Sequence, residues 1–390
     1  MVSRRDTLKI VRERLAAWYR AYRRDLPWRR TRDPWAILVS EVMLQQTTVA
    51  AVQPYYRRFL QRWPRPADLA AASRDELLGE WAGLGYYRRA HMLMDAACAV
   101  SEGDGELPRN ADGLRALPGV GEYTAAAVAS IAFDEPVAAV DGNVERVLTR
   151  LLALPGNPKQ GDTARAIRRA ADELLDRDAP GAFNQALMDL GATLCRPRAP
   201  HCEACPWNTG CLGLAEGHPE RYPQMPARAA ATQVTRLAVV LRRRQEVLLE
   251  RRRSPPNEGF YELPSLDVDA APDGSIPLFE RSSVGPGPRL VNHMRQRFGL
   301  SVFLDRKLPV HKHSITRYRI SVHPFLATLS TGSTGSSGRV GDPLAWVSPR
   351  LSRQPITTAS RRILADAHPD LFGAAGEVAG TPARMDDSTP

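Results

Sequence analysis

Over the first half of the chain apolar residues recur at every third or fourth position, and in the second half they fall at alternate positions. The helical period predicts amphipathic helices at Leu8–Arg24, Trp35–Leu60, Arg74–Leu84, Tyr87–Glu102, Tyr123–Phe133, Val144–Ala153 and Thr163–Leu175. Gly and Pro punctuate between them. From Val234 the pattern changes, and Val234–Arg242, Glu246–Arg251, Tyr318–Leu329 and Ala345–Val347 predict strands. Leu290–Gly299 reads as one helix with a Gly stop. Gly, Pro and Ala dominate Ala215–Gln233, which reads as a linker. Ser330–Gly341 reads as a low-complexity loop, and the chain from Gly373 as a disordered tail. The expected plan is a mostly α domain over 1–215, a linker over 216–233, a smaller α+β domain over 234–372 and a tail over 373–390. No repeat of solenoid period is visible.

Composition narrows the class. At 390 residues the chain is long enough for two or three domains, taking roughly 150 residues each. With 43% hydrophobic and 25% charged residues it has ordinary globular usage, which excludes a wholly disordered chain. No stretch approaches the roughly 18 consecutive apolar residues of a membrane span. Met1–Ile10 is basic but lacks the apolar run of a secretory signal. These features exclude a membrane protein and a secreted disulfide-stapled miniprotein, and a cytoplasmic setting is expected. The formal net charge of +10 points to a polyanionic partner. Residues 1–30 carry ten Lys/Arg against three Asp/Glu, so most of the excess lies before Thr31. A basic helix taken alone is more often a solvated face. Only four residues are lysines, Lys9, Lys159, Lys307 and Lys312. Arginine forks match phosphate bidentately, although a GC-rich genome would also give Arg for Lys.

Four of the five cysteines, Cys195, Cys202, Cys205 and Cys211, follow the spacing C-x6-C-x2-C-x5-C. Clustered thiols without a secretory signal favour a metal site over disulfides. Zinc modules usually use two short pairs, and only Cys202/Cys205 has that spacing. Four thiolates also suit an iron–sulfur cluster, so spacing alone leans to iron–sulfur and leaves zinc open. Cys98 lies in an apolar helical stretch and reads as a small core residue.

Three further segments carry candidate chemistry. In Leu117-Pro118-Gly119-Val120-Gly121-Glu122-Tyr123-Thr124-Ala125 a two-glycine turn feeds an Ala-rich helix. The amides of Gly119, Val120 and Gly121, with the positive end of that helix, offer a phosphate site; a plain helix–helix turn is the competing reading. In Val140-Asp141-Gly142-Asn143-Val144 the aspartate stands where an N-cap stands, and a lone Asp there is a cap most of the time. In Ser40-Glu41-Val42-Met43-Leu44-Gln45-Gln46-Thr47 the acid sits in an otherwise apolar helix. Burial there would raise its pKa toward that of a general acid; an exposed helix Glu is the alternative.

Taken with LPWR (Leu26–Arg29), GLGYY (Gly83–Tyr87), VDGNVERVL and FNQALMDLGA, these segments resemble the adenine DNA glycosylases of the MutY family, in order and in spacing. The resemblance covers nearly the whole chain. It implies a helix-hairpin-helix glycosylase fold with a six-helix module over about 30–140, a cluster module formed by 1–29 with 141–215, and a pocket between the modules. It implies a [4Fe–4S] cluster on the four cysteines. It also implies removal of adenine mispaired with 8-oxoguanine or guanine, with double-stranded DNA as partner, a monomeric state and a bacterial, nucleoid-associated setting. A base inside a duplex cannot be reached, so the adenine must be flipped out.

The resemblance assigns roles residue by residue. Glu41 matches the acid that protonates adenine N7, and Asp141 the carboxylate that stabilises an oxocarbenium-like sugar or forms a covalent intermediate, the two-carboxylate logic of glycoside hydrolysis. Tyr123 and Asn143 match supporting residues, Arg29 and Gln185 match pocket positions, and Trp28 reads either as packing against the pocket or as a buried core Trp. Gln45, Gln46, Thr47, Leu84 and Tyr86 match residues around the lesion, with Gln46 and Tyr86 entering the base stack. The endonuclease III branch places a lysine where Tyr123 stands, and that lysine forms a Schiff base. No lysine exists here between Lys9 and Lys159, so a strong β-lyase is not expected.

In the second half, Gly259-Phe260-Tyr261-Glu262-Leu263-Pro264 looks like the GLWELP strand of Nudix-like domains. The helix at Val291–Gly299 contains no acid, which argues for a lesion reader rather than a metal-dependent hydrolase. The family reads 8-oxoguanine through a loop usually written Phe-Ser-His. Here Ser314 keeps its place between His313 and Ile315, in the stretch His311–Thr316. Competing readings are a thymine-removing mismatch glycosylase, a non-catalytic DNA-binding scaffold and a Nudix hydrolase.

Overall fold

The computed structural model describes residues 4–226, 230–254, 257–268, 286–315, 317–330, 342–348 and 355–372. Part of the expected linker (227–229), Thr316, most of the low-complexity loop (331–341) and the tail (373–390) lie outside the described residues.

The helices in chain order are α1 (Arg4–Tyr22), α2 (Pro34–Leu44), α3 (Val49–Arg62), α4 (Pro66–Ala70), α5 (Arg74–Trp81), α6 (Arg88–Glu102), α7 (Ala111–Arg115) and α8 (Glu122–Phe133). They continue with α9 (Gly142–Leu151), α10 (Gly161–Leu174), α11 (Pro180–Thr193), α12 (Leu212–Ala215), α13 (Pro286–Phe298), α14 (Thr358–Ala367) and α15 (Pro369–Phe372). The strands are β1 (Thr232–Arg243), β2 (Glu246–Arg251), β3 (Tyr261–Glu262), β4 (Ser265–Val268), β5 (Val302–Lys307), β6 (His311–Ile315), β7 (Tyr318–Leu329) and β8 (Leu344–Val347). Two compact units result. One comprises Met1–Ala71 and His91–Arg228, the other Ala72–Ala90 and Ala229–Pro390. Ala72–Ala90, which the periodicity assigns to the helical half, thus clusters with the strand-rich half. Among the described residues no helix is long and apolar enough to cross a membrane.

The first unit is all helix. Its centre is α8, where Ala125, Ala126, Ala127, Val128, Ala129 and Ser130 are all buried. Such small side chains let α2, α7 and α11 approach closely. On α11, a Cβ at Gly181 would lie 2.5 Å from the Ser130 carbonyl oxygen. Asn110 caps α7 by accepting the Gly113 N–H at 2.8 Å. Gly119, at φ +73°, then turns the chain into α8, and a Cβ there would meet Met92 at 2.4 Å. A second core joins Leu15 and Tyr19 of α1 to Val144 and Leu148 of α9, Ile167 of α10 and Leu187 of α11, so the start of the chain packs on the helices after Asp141.

Two stretches of the helical unit differ from the expected pattern in a way that bears on the site. Trp35–Leu60 is not continuous, because α2 stops at Leu44 and α3 starts at Val49. Between them Gln46 adopts φ +57°, and Thr48 caps α3 by accepting the Ala51 N–H at 3.4 Å. Side-chain oxygens of this kind offer the backbone an alternative to the helix ladder. The helix α11 carried no clear periodic signal. Phe183, Asn184, Ala186, Leu187, Asp189 and Leu190 are all buried, so it has no polar face to set a stripe.

The second unit is α+β. Its sheet runs β3-β2-β1-β7-β5, with β4 on β1, β6 on β7 and β8 on β2. The pair β1–β7 is parallel and the other pairs are antiparallel. Along β1, Leu237, Val239 and Leu241 face the core beneath α13, while Ala238 and Val240 face the core beneath α14, the period-two alternation of a strand buried on both sides. The stretch around Ser314, expected as a loop, is the strand β6 over its described residues His311–Ile315. The short strands β4, β5 and β6 carried too little alternation to be read from the sequence.

Candidate active site

A cavity of about 810 Å³ opens in the first unit. Glu41 enters it from α2, Tyr123 from α8, Asp141 and Asn143 from the start of α9, and Gln185 from α11. Trp28 and Arg29 reach it from the 3-10 turn Pro27–Arg29.

Every residue of α2 from Trp35 to Met43 is buried, so Glu41 has no solvated face to turn to. Burial pushes its carboxyl up to about 7; the nearby Asp141 adds to the push, and the Tyr123 hydrogen bond and Arg29 oppose it. The Tyr123 hydroxyl donates to Glu41 Oε2 at 2.6 Å and lies 3.5 Å from the Met188 sulfur. Burial, with Glu41 and Asp141 alongside, raises the phenol well above its ordinary range, so it stays a donor.

Asp141 is the N-cap of α9 and at the same time lines the cavity. Its Oδ1 accepts the Val144 N–H at 2.7 Å, and its Oδ2 accepts Asn143 Nδ2 at 2.8 Å. Burial raises this carboxyl too, against the pull of those hydrogen bonds. Behind Asn143 stands Arg146. Its Nη2 donates at 2.9 Å to Asn143 Oδ1 and at 2.9 Å to the Gly191 carbonyl, and its Nε donates to the Cys195 carbonyl at 2.8 Å.

Arg29 is fixed by a residue the sequence reading passed over. Asp189, on α11, is only 1% exposed and takes Arg29 on both of its oxygens, with Nη2 at 2.7 Å from Oδ1. Arg24 Nε donates to the same Oδ1 at 2.9 Å. Asp189, Arg24 and Arg146 are the functional residues the sequence reading missed. The single acid of FNQALMDLGA, one turn past Gln185, was the available signal. Trp28 is buried and packs edge-on against Tyr56, with ring centroids 5.3 Å apart. Gln185 lines the cavity while its amide nitrogen donates back to the Gly181 carbonyl at 3.1 Å.

The expected DNA contacts divide between the units. Gln45, Gln46 and Thr47 line the cavity, and Gln45 Nε2 donates to Thr124 Oγ1 at 3.3 Å. In the hairpin Gly119 and Gly121 are exposed, whereas Val120 is buried and its N–H closes the turn onto the Leu117 carbonyl at 3.2 Å. That amide is already engaged, so a phosphate site in this turn rests on the flanking glycines. Leu84, Tyr86 and Ser314 belong to the second unit. Leu84 is buried, Tyr86 is 43% exposed at φ +49°, and Ser314 is exposed on β6 opposite Arg319 of β7.

The four thiols of Cys195, Cys202, Cys205 and Cys211 are free of disulfides and partly buried. Burial pushes the Cys205 thiol up to about 11, and Cys195, Cys211 and Cys202 push further, as neighbours do. Arg150 organises this corner. It donates to the carbonyls of Arg196 (2.6 Å), Pro197 (2.9 Å) and Tyr222 (2.9 Å), and lies 3.5 Å from Cys195 Sγ. Its own carbonyl accepts Cys211 Sγ at 3.4 Å. Among the described residues, no group of three or more His, Cys, Asp or Glu is gathered as for a single metal ion. The donor set is four soft sulfurs, which suits zinc or an iron–sulfur group.

A buried acid poised near neutrality, a second carboxylate in the same cavity and a helical hairpin beside them place the first unit among helix-hairpin-helix base-excision proteins. Residues 39–173 match the family described as HhH-GPD superfamily base excision DNA repair protein. An adenine DNA glycosylase of Mycolicibacterium smegmatis is 44% identical over 207 residues, covering 53% of this chain and 70% of that protein. One from Arabidopsis thaliana is 34% identical over 412 residues, covering 93% of this chain and 65% of that protein. The chain belongs to the adenine DNA glycosylase family. It spans less than two thirds of the plant relative's length and 44% of the mouse relative's. Among solved structures, a thermostable thymine-DNA glycosylase superposes with a TM-score of 0.50 at 32% identity, covering 54% of this chain and 98% of that one.

Proposed function

We propose that this protein is a monofunctional adenine DNA N-glycosylase of base excision repair, acting on adenine opposite 8-oxoguanine or guanine in duplex DNA as a monomer. The observation that carries the reading is Glu41: a buried carboxyl raised to about 7, hydrogen-bonded to Tyr123 at 2.6 Å, in one cavity with Asp141. At neutral pH a substantial fraction of Glu41 is protonated, as an acid near the working pH should be.

In this reading the flipped adenine enters the cavity. Glu41 delivers its proton to N7, which turns the base into a leaving group. Asp141 meets the positive charge that develops on the sugar, by electrostatics or by a covalent bond that water then hydrolyses. Asn143 and Tyr123 hold the two carboxylates in register. Arg29 and Trp28 bound the base, and Gln185 has an amide able to read an adenine edge. Gln46 and Tyr86, both at positive φ, fill the space the adenine leaves. Non-glycine residues in that conformation cluster at functional sites.

Product DNA is expected to stay intact. An imine requires a neutral amine at the anomeric carbon, and Tyr123 offers a phenol. Among the described residues the cavity wall contains no lysine. Lys9 is exposed and paired with Glu13, and Lys159 is exposed.

Cys195, Cys202, Cys205 and Cys211 are the residues we assign to a [4Fe–4S] cluster. Bound there, the cluster would supply a four-point cross-link of the loop after α11, and hydrolysis of the base is itself redox-neutral. The second unit is read as a Nudix-like lesion reader. The GFYELP segment leading into β3 and the acid-free sequence of α13 support that. Ser314, flanked here by His313 and Ile315, would face 8-oxoguanine.

Similarity to the thymine-DNA glycosylase favours thymine removal as a second reading. That structure is matched over 98% of its length by 54% of this chain, so the second unit has no counterpart there, which weighs against it. Duplexes carrying A:8-oxoG, A:G, A:C and T:G, scored for base release with and without alkali, decide between the two. Adenine release from the first two with alkali-dependent strand breaks is expected; release of thymine alone overturns the assignment.

A further inference from the structure

Tyr86 sits in an unusual piece of backbone. Gly83 (φ +100°), Gly85 (φ +75°) and Tyr86 (φ +49°) are all left-handed. Glycine tolerates this freely; tyrosine holds it only when its surroundings enforce it. The next residue shows what enforces it. Tyr86 points out, 43% exposed, whereas Tyr87 is 9% exposed and lies against Phe260 with ring centroids 3.8 Å apart and planes 30° from parallel.

Phe260 is completely buried at the entrance to β3. Beside it Gly259 holds φ +83°, and a Cβ there would come within 2.8 Å of Leu78 on α5. Arg251, at the end of β2, donates to Asp75 of α5 at 2.7 Å. On the other side of the turn Trp81 Nε1 and Arg89 Nη2 both donate to the Gly85 carbonyl, at 3.1 and 3.2 Å. The Arg89 guanidinium lies 5.2 Å from the Tyr86 ring centre. Thus α5 and its following turn pack on β2–β3 of the second unit, although they are encoded inside the stretch 39–173 that matches the glycosylase family.

We propose that Phe260 is a positioning residue for Tyr86. By stacking on Tyr87 it fixes the Gly83–Arg89 turn in the left-handed form that presents the Tyr86 ring, so the second unit sets the geometry of a residue in the base stack besides facing the lesion. This rests on the DNA role assigned to Tyr86 above; the packing half does not.

The test is hydrogen exchange on the full chain without DNA, followed by DNA binding. Phe260→Leu keeps apolar bulk in the core and removes the ring–ring contact. Amides 84–89 should then exchange up to about tenfold faster, the scale of an aromatic pair, with exchange in β1 and β7 and the thermal midpoint little changed. Tyr87→Leu, which removes the other ring of the pair, should match Phe260→Leu. Affinity for an A:8-oxoG duplex should fall by a similar factor in Phe260→Leu and Tyr86→Ala, and no further in the double variant. Unchanged exchange at 84–89 in Phe260→Leu overturns the proposal, as does acceleration spread evenly through the second unit. Wild-type affinity in Tyr86→Ala contradicts the functional half and the DNA role behind it, while the exchange result judges the packing separately.

Discussion

Asn143 donates its side-chain N–H to Asp141 Oδ2 at 2.8 Å, so one turn of α9 both carries the carboxylate and aims it. Asn143 is itself oriented by Arg146, which also reaches the carbonyls of Gly191 and Cys195. Arg146→Met removes all three contacts. Hydrogen bonds involving a charged group contribute roughly 1.5–3 kcal/mol, so single-turnover adenine release should slow by about 10- to 100-fold. Arg146→Lys, with one ammonium for a fork that serves three acceptors, should recover little of it. Wild-type single-turnover rates in Arg146→Met would remove the orienting role.

Asp189 is buried between Arg24 and Arg29. Removing one partner from such a site strands charge, which typically costs about 3–5 kcal/mol. Asp189→Asn should therefore lower the denaturation midpoint substantially and impair base release through a displaced Arg29. A variant as stable as wild type, with normal turnover, would show that Arg29 needs no such anchor.

Two glycines give a matched pair. At Gly191 a Cβ would lie 2.7 Å from the Asn143 Cβ and 3.1 Å from its carbonyl oxygen, whereas at Gly121 it would meet nothing within 4 Å. Gly191→Ala should destabilise by about 1–3 kcal/mol through overpacking and slow base release by shifting Asn143. Gly121→Ala should leave the unfolding midpoint nearly unchanged. Equal midpoints for the two variants would contradict the close approach of α11 to α9.

How much of this was legible in the sequence follows from what each residue does locally. Glu41 stood out because an acid in a wholly apolar helix is a local anomaly. Asp141 was ambiguous because capping and catalysis ask for the same residue at the same place, and the fold shows it capping α9 at the wall of the cavity. Asp189 left only the trace of an acid on α11, because its partners Arg24 and Arg29 lie far along the chain. Arg146 has one side-chain partner nearby, Asn143, but its other two acceptors are backbone carbonyls, which leave no trace in side-chain pattern. The break at Gln45–Thr48 was hidden by apolar periodicity that continues in phase across it. The placement of Ala72–Ala90 with the second unit depends on Phe260 and Arg251, more than 160 residues away, beyond the reach of any local rule.

The pH dependence of stability has a definite sign. Glu41 is raised in the folded state from its ordinary 4.5 to about 7, so the fold binds this proton more tightly than the unfolded chain does. Its stabilising contribution is complete below about 4.5 and is lost as pH rises to about 7, an effect on the order of 3 kcal/mol. Glu41→Gln cannot ionise, so above pH 7 it should be more stable than wild type, and the gap should close toward pH 5. Parallel stability curves for the two proteins across that range would contradict a buried, raised carboxyl.

The most direct measurement is single-turnover release of adenine from an A:8-oxoG duplex by Glu41→Gln, beside its affinity for the same duplex. Glutamine keeps the shape and an acceptor for the Tyr123 hydroxyl but has no acidic proton to give. General acid catalysis is worth about 10²–10⁴-fold, so release should fall by at least about a hundredfold while binding stays near wild type. In the wild type, release should decline as pH rises above about 7 because the acid form is lost. Near-normal release by Glu41→Gln, with the wild-type pH profile, would contradict the assignment of Glu41 as the proton donor.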